Sequence, residues 1–172
     1  MADNDKSTGV KIGKVSGGIH GSVIAGGDVK NVTITLGGQA VPADKEPTVD
    51  DLKRLLADVQ AELATVLAQK EALQQLSAAA PFTAQGAEAG VKQAAEAAAA
   101  EGEVSEAQAK SMQQSLAEAS GLLNGILDGA KDAAEKAGAV GKAAKPIAEA
   151  LAPLVEKLAV ASFWVGRLWL GL

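Results

Sequence analysis

Between Leu52 and Leu73 the seam residues are Leu52, Leu56, Val59, Leu63, Val66 and Leu73, three, four or seven positions apart. That spacing gathers them on one side of an α-helix and would scatter them over both faces of a strand. Leu55, Leu67 and Leu76 widen the stripe, and Lys70 interrupts it. Just upstream, Thr48-Val-Asp-Asp51 pairs a hydroxyl N-cap with a carboxylate three residues on, a close relative of the capping box. Its acids also lie at the positive end of the helix dipole. The expectation is an amphipathic helix of about seven turns ending near Ser77, with those six residues as its packing seam and a coiled-coil contact through them.

A one-sided helix needs partners, and the rest of the chain says what they are made of. Of 172 residues, 37 are alanine and four are aromatic. Alanine buries little area but has the highest helix propensity, so the core expected is helical and filled with small groups. Pro81 to Gly102 reads as a weak helix with little to bury. Ser105 is expected to cap a helix running through Met112, Leu116, Leu122, Leu123, Ile126 and Leu127. Proline is tolerated in a first helical turn, so Pro146 reads as a helix start and Pro153 as a kink or second start.

One helix carries an unusual register. Gly121, Gly125 and Gly129 sit four apart, continuing a line that includes Ala117, Ala133, Ala137 and Gly141. Each glycine costs a helix roughly 1 kcal/mol against alanine. The stripe is therefore expected to admit a closely packed second helix, as small-xxx-small motifs do. Asn124, Asp128, Lys131 and Asp132 beside it exclude a simple membrane span, so an amphipathic helix that packs tightly in solution or lies on a lipid surface is expected.

The two ends differ from this middle. Residues 1–40 hold nine of the 19 glycines, with Val15, Ile19, Val23, Val29, Val32 and Ile34 set between Gly, Ser, Asp and Asn. Short strands broken by tight turns are expected, and Val32-Thr-Ile-Thr-Leu36 alternates as a half-buried strand does. Strands this short need stacking on copies of themselves or on a matching partner, which makes the six β-branched residues the candidate assembly contacts. At the other end, Leu158 to Leu172 (LAVASFWVGRLWLGL) has Arg167 as its one charge and three of the four aromatic residues. Fifteen helical residues reach about 22 Å, short of the ~30 Å hydrocarbon core. Phe163, Trp164, Arg167, Leu168, Trp169 and Leu170 are thus candidates for an interfacial membrane contact, the alternative being a tail docked on the bundle.

The expected fold is therefore mainly α, a bundle of amphipathic helices preceded by a short glycine-rich β segment of solenoid-like or strand-stacking type. Residues 1–38 form that segment, 39–47 a linker with two prolines, 48–157 the helical domain and 158–172 the tail.

Much chemistry is excluded. The chain has no cysteine and one histidine, His20, so thiol chemistry and His-cluster metal sites are out. Gly9-Val-Lys-Ile-Gly-Lys-Val15 has neither the spacing nor the hydroxyl of a phosphate loop. The net charge of −5 argues against nucleic acid. The start MADNDKSTG lacks the basic region and apolar run of a secretory signal, so a cytoplasmic, non-enzymatic protein without cofactor is expected.

Gly17-Gly-Ile-His-Gly-Ser-Val-Ile-Ala-Gly-Gly-Asp-Val29, followed by Val32-Thr-Ile34, resembles the glycine-valine motifs of bacterial amyloid signalling. In that family a motif on a NACHT- or NB-ARC-type receptor templates the same motif on a small effector with a helical membrane-killing domain of the Bell or HeLo-like kind. The resemblance covers about 20 residues, and the order of motif and membrane-active helix is reversed relative to the usual arrangement. It implies a homo-oligomerising cell-death effector with a receptor carrying a matching motif, recruited to the inner face of the membrane. Two rival readings use the same helices: an amphipathic scaffold or surface-coating protein, and a plain coiled-coil adaptor whose tail is core.

Overall fold

Two capping boxes start two of the helices where their sequences ask for them. The Thr48 hydroxyl accepts from the Asp51 amide while the Asp51 carboxylate accepts from the Thr48 amide. Ser105 and Gln108 make the same reciprocal pair. The computed structural model describes residues 33–36, 39–42, 46–100, 102–136 and 138–171. Among them are five α-helices: α1 (Val49–Ala68), α2 (Lys70–Leu76), α3 (Ala80–Ala99), α4 (Glu106–Ala134) and α5 (Ala139–Val165). A π-helical turn, Gly166–Leu170, ends the chain's last helix.

The helix expected to run unbroken to Ser77 is interrupted once, at Gln69, whose amide bonds back three residues to the Val66 carbonyl. Neither proline nor glycine stands at the break, and nothing else in the structure explains it. With α1 and α2 counted as one interrupted rod, the four rods alternate in direction. α1 packs on α3 and α5, and α4 packs on α3 and α5, which closes an up-down-up-down four-helix bundle. Its core is one continuous cluster, from Leu52, Leu56, Val59, Leu63, Val66 and Leu73 through Met112, Leu116 and Leu123 to Ile147, Leu151, Leu154 and Leu158. The six seam residues of the first helix are all fully buried, as their spacing requires.

α3 corrects the expectation that its stretch has little to bury. Ala80, Ala84, Ala87, Ala94 and Ala98 with Val91 form a buried face made almost wholly of methyl groups. Small side chains let the neighbouring helix come close instead of standing off. A Cβ added at Gly90 would lie 3.0 Å from the Ser115 carbonyl oxygen of α4, and one at Gly86 would lie 3.5 Å from Leu122 Cδ1.

The prolines are a second correction. Pro146 and Pro153 both lie inside the continuous helix α5 and start nothing. They are seven residues apart, two turns, and therefore share a face; that face is exposed. The carbonyls each deprives of a donor, on exposed Lys142 and Glu149, can turn to water, which lowers the penalty of an interior proline. The turn before α5 is tight: Gly138 has φ of 107°, and a Cβ at Gly141 would land on the Lys136 carbonyl oxygen.

Upstream, Thr33–Leu36 (β1) and Gln39–Pro42 (β2) pair antiparallel, Ile34 opposite Val41 and Leu36 opposite Gln39. Residues 39–42, read from sequence as the start of a linker, are therefore a strand. Pro42, which has no amide to donate, closes the ladder at its end. Of the candidate assembly residues, Ile34 lies in β1, whereas Val15, Ile19, Val23, Val29 and Val32 lie outside the described residues.

Candidate functional site: the tail and the end of the bundle

The antiparallel order brings the start of α1, the end of α3, the start of α4 and the end of α5 to one end of the bundle. Val49 and Lys53 of α1, Ala98 to Ala100, Gly102 to Val104, and Leu168 and Trp169 of the π-helical turn line an open cleft there of about 780 Å³. Its charged lining groups are Lys53 and Glu103, one of each sign, so it presents no concentrated field to an ionic ligand. Among the described residues no three His, Cys, Asp or Glu side chains gather where they could hold a metal ion. Beside the cleft, Glu106 in the first turn of α4 accepts a hydrogen bond from Lys110, one helical turn on. That bond, and then the ammonium charge itself, hold the exposed Glu106 carboxyl below its ordinary range.

The tail divides into two faces. Trp164 is 1% exposed and is the largest fully buried side chain of the bundle; Val165 and Gly166 are buried beside it. Phe163 is 44% exposed, and the Arg167 guanidinium stands over its ring, 5.8 Å from the centroid. Leu168, Trp169 and Leu170 are half-buried and pack against the core cluster. The six residues read from sequence as one membrane-facing set are therefore not one surface. Trp164 belongs to the core in this conformation, Phe163 and Arg167 face outward, and the last three lie between. The run is apolar nearly all round because the chain folds most of its circumference inward. No helix among the described residues is long and apolar enough to cross a membrane.

The glycine stripe is also placed differently from its expected role. Gly121, Gly125 and Gly129 are exposed, and a Cβ added at any of them would meet nothing within 4 Å. Among the described residues no helix packs on them. A four-residue spacing drifts steadily around a helix of 3.6 residues per turn, so the line leaves the solvent face and reaches the core only at Ala133. The close helix approach is instead made by Gly86-Ala-Glu-Ala-Gly90 on α3, a G-x-x-x-G that the sequence displays openly.

One ion pair ties α1 to α5. Lys157 Nζ donates to Glu62 Oε1 at 2.5 Å, with the lysine side chain 14% and the glutamate 42% exposed. The second oxygen, Glu62 Oε2, is buried and has no hydrogen-bond partner among the described residues. The pair crosses the antiparallel α1–α5 seam. No protein-family model, curated protein or solved structure matches this chain.

Proposed function

We propose that this chain is a non-enzymatic signalling effector that assembles through its N-terminal β segment and engages a membrane through the tail of its helical bundle. The observation that carries the reading is the juxtaposition at the bundle end. The first residues of α1, into which the β segment leads, line the same cleft as Leu168 and Trp169 of the aromatic tail. The tail there ends in a π-helical turn, a conformation uncommon in helices and frequent at functional sites. Bringing many copies together through the N-terminal segment raises the local concentration of these tails, so weak interfacial contacts add up. Phe163 and Arg167 make the first contact, since they already face outward. Trp169 follows when the last turn lifts from the cleft. The β-branched residues Val15, Ile19, Val23, Val29, Val32 and Ile34 serve as the assembly contacts, with a receptor carrying a matching motif as the partner.

The test is leakage of dye-filled anionic liposomes by assembled full-length protein beside its Trp169→Asp variant. Leakage by the natural chain that the variant loses supports the reading. The burial of Trp164 favours a second one, in which the tail is ordinary core and the protein a cytoplasmic scaffold or coiled-coil adaptor. Intact liposomes at every degree of assembly, with Trp164 emission staying blue-shifted and protected from iodide, decide for the scaffold.

A further inference from the structure

The last helical turn closes on a bond one residue longer than an α-helix makes. The Gly171 amide donates to the Gly166 carbonyl, five residues back instead of four. That longer step decides which side chains stack along the helix. Trp169 comes above Trp164 and Leu170 above Val165, and both lower residues are buried. Leu168 falls toward the rim, above the exposed Phe163. With α-helical spacing the same residues sort differently. Leu168 comes above Trp164 and Trp169 above Val165, so these two stay on the bundle. Leu170 instead joins Phe163 and Arg167, four and three residues apart, on the face those two already turn outward. The half-burial of Leu170 against the core cluster is therefore a product of the π-helical turn. Glycine stands at both ends of that turn. Gly171 has φ of 68°, and a Cβ there meets nothing within 4 Å, so conformation alone suits the position to glycine.

We propose that this turn has two registers: a π register that shelters Leu170 on the bundle in water, and an α register that presents Phe163, Arg167 and Leu170 as one face to a lipid surface. The lipid half of this rests on the membrane reading above and names its first step, before Trp169 leaves the cleft. The balance is set by what surrounds Leu170. In water the α register exposes a leucine side chain that the π register covers, so the π register prevails. At a bilayer interface acyl chains cover that side chain, and the penalty falls away. Lipid that meets Leu170 in one register only shifts the population toward that register. Arg167 lies between the two apolar groups, where its stem can lie along them while the guanidinium reaches the headgroup phosphates. The occupant is lipid because two apolar side chains fall far short of the roughly 800 Å² per partner that a specific protein pair buries. Binding at a lipid interface, by contrast, grows with each apolar group buried and with attraction between a cation and anionic headgroups.

Leucine methyl resonances of the full-length chain, read with a water-soluble paramagnetic probe, test the two registers without altering either leucine. Gly171→Ala penalises the left-handed residue that closes the π turn and shifts the balance toward the α register by about fivefold or more. Leu170 then becomes more accessible to the probe while Leu168 becomes less so, and Leu154 and Leu158 stay sheltered in the intact core. The same variant binds vesicles of phosphatidylglycerol and phosphatidylethanolamine several-fold more tightly than the natural chain. Deleting Gly166 does the reverse. It leaves a plain α-helix in which Trp169 again stands above Trp164 and Leu170 above Val165, so Leu170 stays sheltered with or without vesicles and binding weakens several-fold. A joint rise of Leu168 and Leu170 in Gly171→Ala means that the end frays, and overturns the proposal. Unchanged accessibilities in Gly171→Ala, with equal vesicle binding by all three chains, overturn it too while leaving the membrane reading in place. The reciprocal exchange of Leu168 and Leu170, with no vesicles bound by any chain, upholds the two registers and overturns the membrane reading.

Discussion

At Trp164 the tail sets its largest side chain into the bundle, and truncating it sets the scale for the others. Trp164→Ala removes a fully buried ring system from a core with few large groups to refill the space, so urea unfolding should show a loss of about 3–5 kcal/mol. Phe82→Ala, measured in dilute solution, should stay within about 0.5 kcal/mol, because the ring it removes is already in water. The glycines separate in the same way. Gly125→Ala adds a methyl group in open space and should stabilise the chain by about 0.8 kcal/mol, a rise of roughly 2–4 °C in the thermal midpoint. Gly90→Ala gains the same propensity but sets its methyl 3.0 Å from the Ser115 carbonyl oxygen, backbone that can yield only if α3 and α4 move apart. A net loss of stability is expected there, and a Gly90→Ala variant as stable as Gly125→Ala would show that the two helices are not in close contact.

Single elements extend these effects over a turn or more. Ser105→Ala removes the hydroxyl that accepts from the Gln108 amide and should cost about 1 kcal/mol, read by chemical denaturation. Glu106 adds a pH dependence at the same terminus. Its carboxyl ionises more readily in the folded chain, so its contribution is present above the ordinary carboxylate range and fades as the pH falls through the lowered value. Glu106→Gln should flatten that part of the acid limb. In α5, Pro153→Ala restores a donor to the Glu149 carbonyl and should raise stability by about 1–2 kcal/mol, less than the full interior-proline penalty because that carbonyl is open to water. What was legible in the sequence follows the same division. The caps at Thr48 and Ser105 and the burial of the seam residues from Leu52 to Leu73 are local patterns and fold as read, whereas the break at Gln69 carries no local signal. Pro146 reads as a helix start, and Pro153 as a kink or second start, because sequence displays the missing donor but not that the orphaned carbonyl faces water; neither starts a helix. The Gly121 stripe drew attention through its length, but its period drifts off any one face. The shorter Gly86–Gly90 pair is the one with a helix against it, a fact that belongs to α4 and not to α3. Gln39–Pro42 passed for linker because two prolines nearby outweighed the Gly-Gly that separates it from Thr33–Leu36. For the tail, apolarity was plain, but which side of each ring is covered depends on three other helices.

Across the molecule, one core cluster runs from α1 to the end of α5, so helix content and tryptophan emission should be lost together in urea. Separation of the two curves, with emission changing first, would indicate a tail that leaves before the bundle opens. Amide exchange offers a finer reading: residues 166–170, a π-helical turn whose last three side chains are half-buried, should exchange faster than residues 147–161, whose inward side chains lie at the centre of the core. The antiparallel course of α1 and α5 has a mechanical consequence. The chain enters the bundle at Val49 and leaves it beyond Trp169 at the same end, with the Glu62–Lys157 pair farther along the seam. A load between an anchored N-terminal assembly and a held tail would therefore pull the two helices apart from their shared end, breaking contacts one turn after another. Such unzipping needs far less force than sliding two helices along their length, so the bundle would yield first at the end where both its attachments lie.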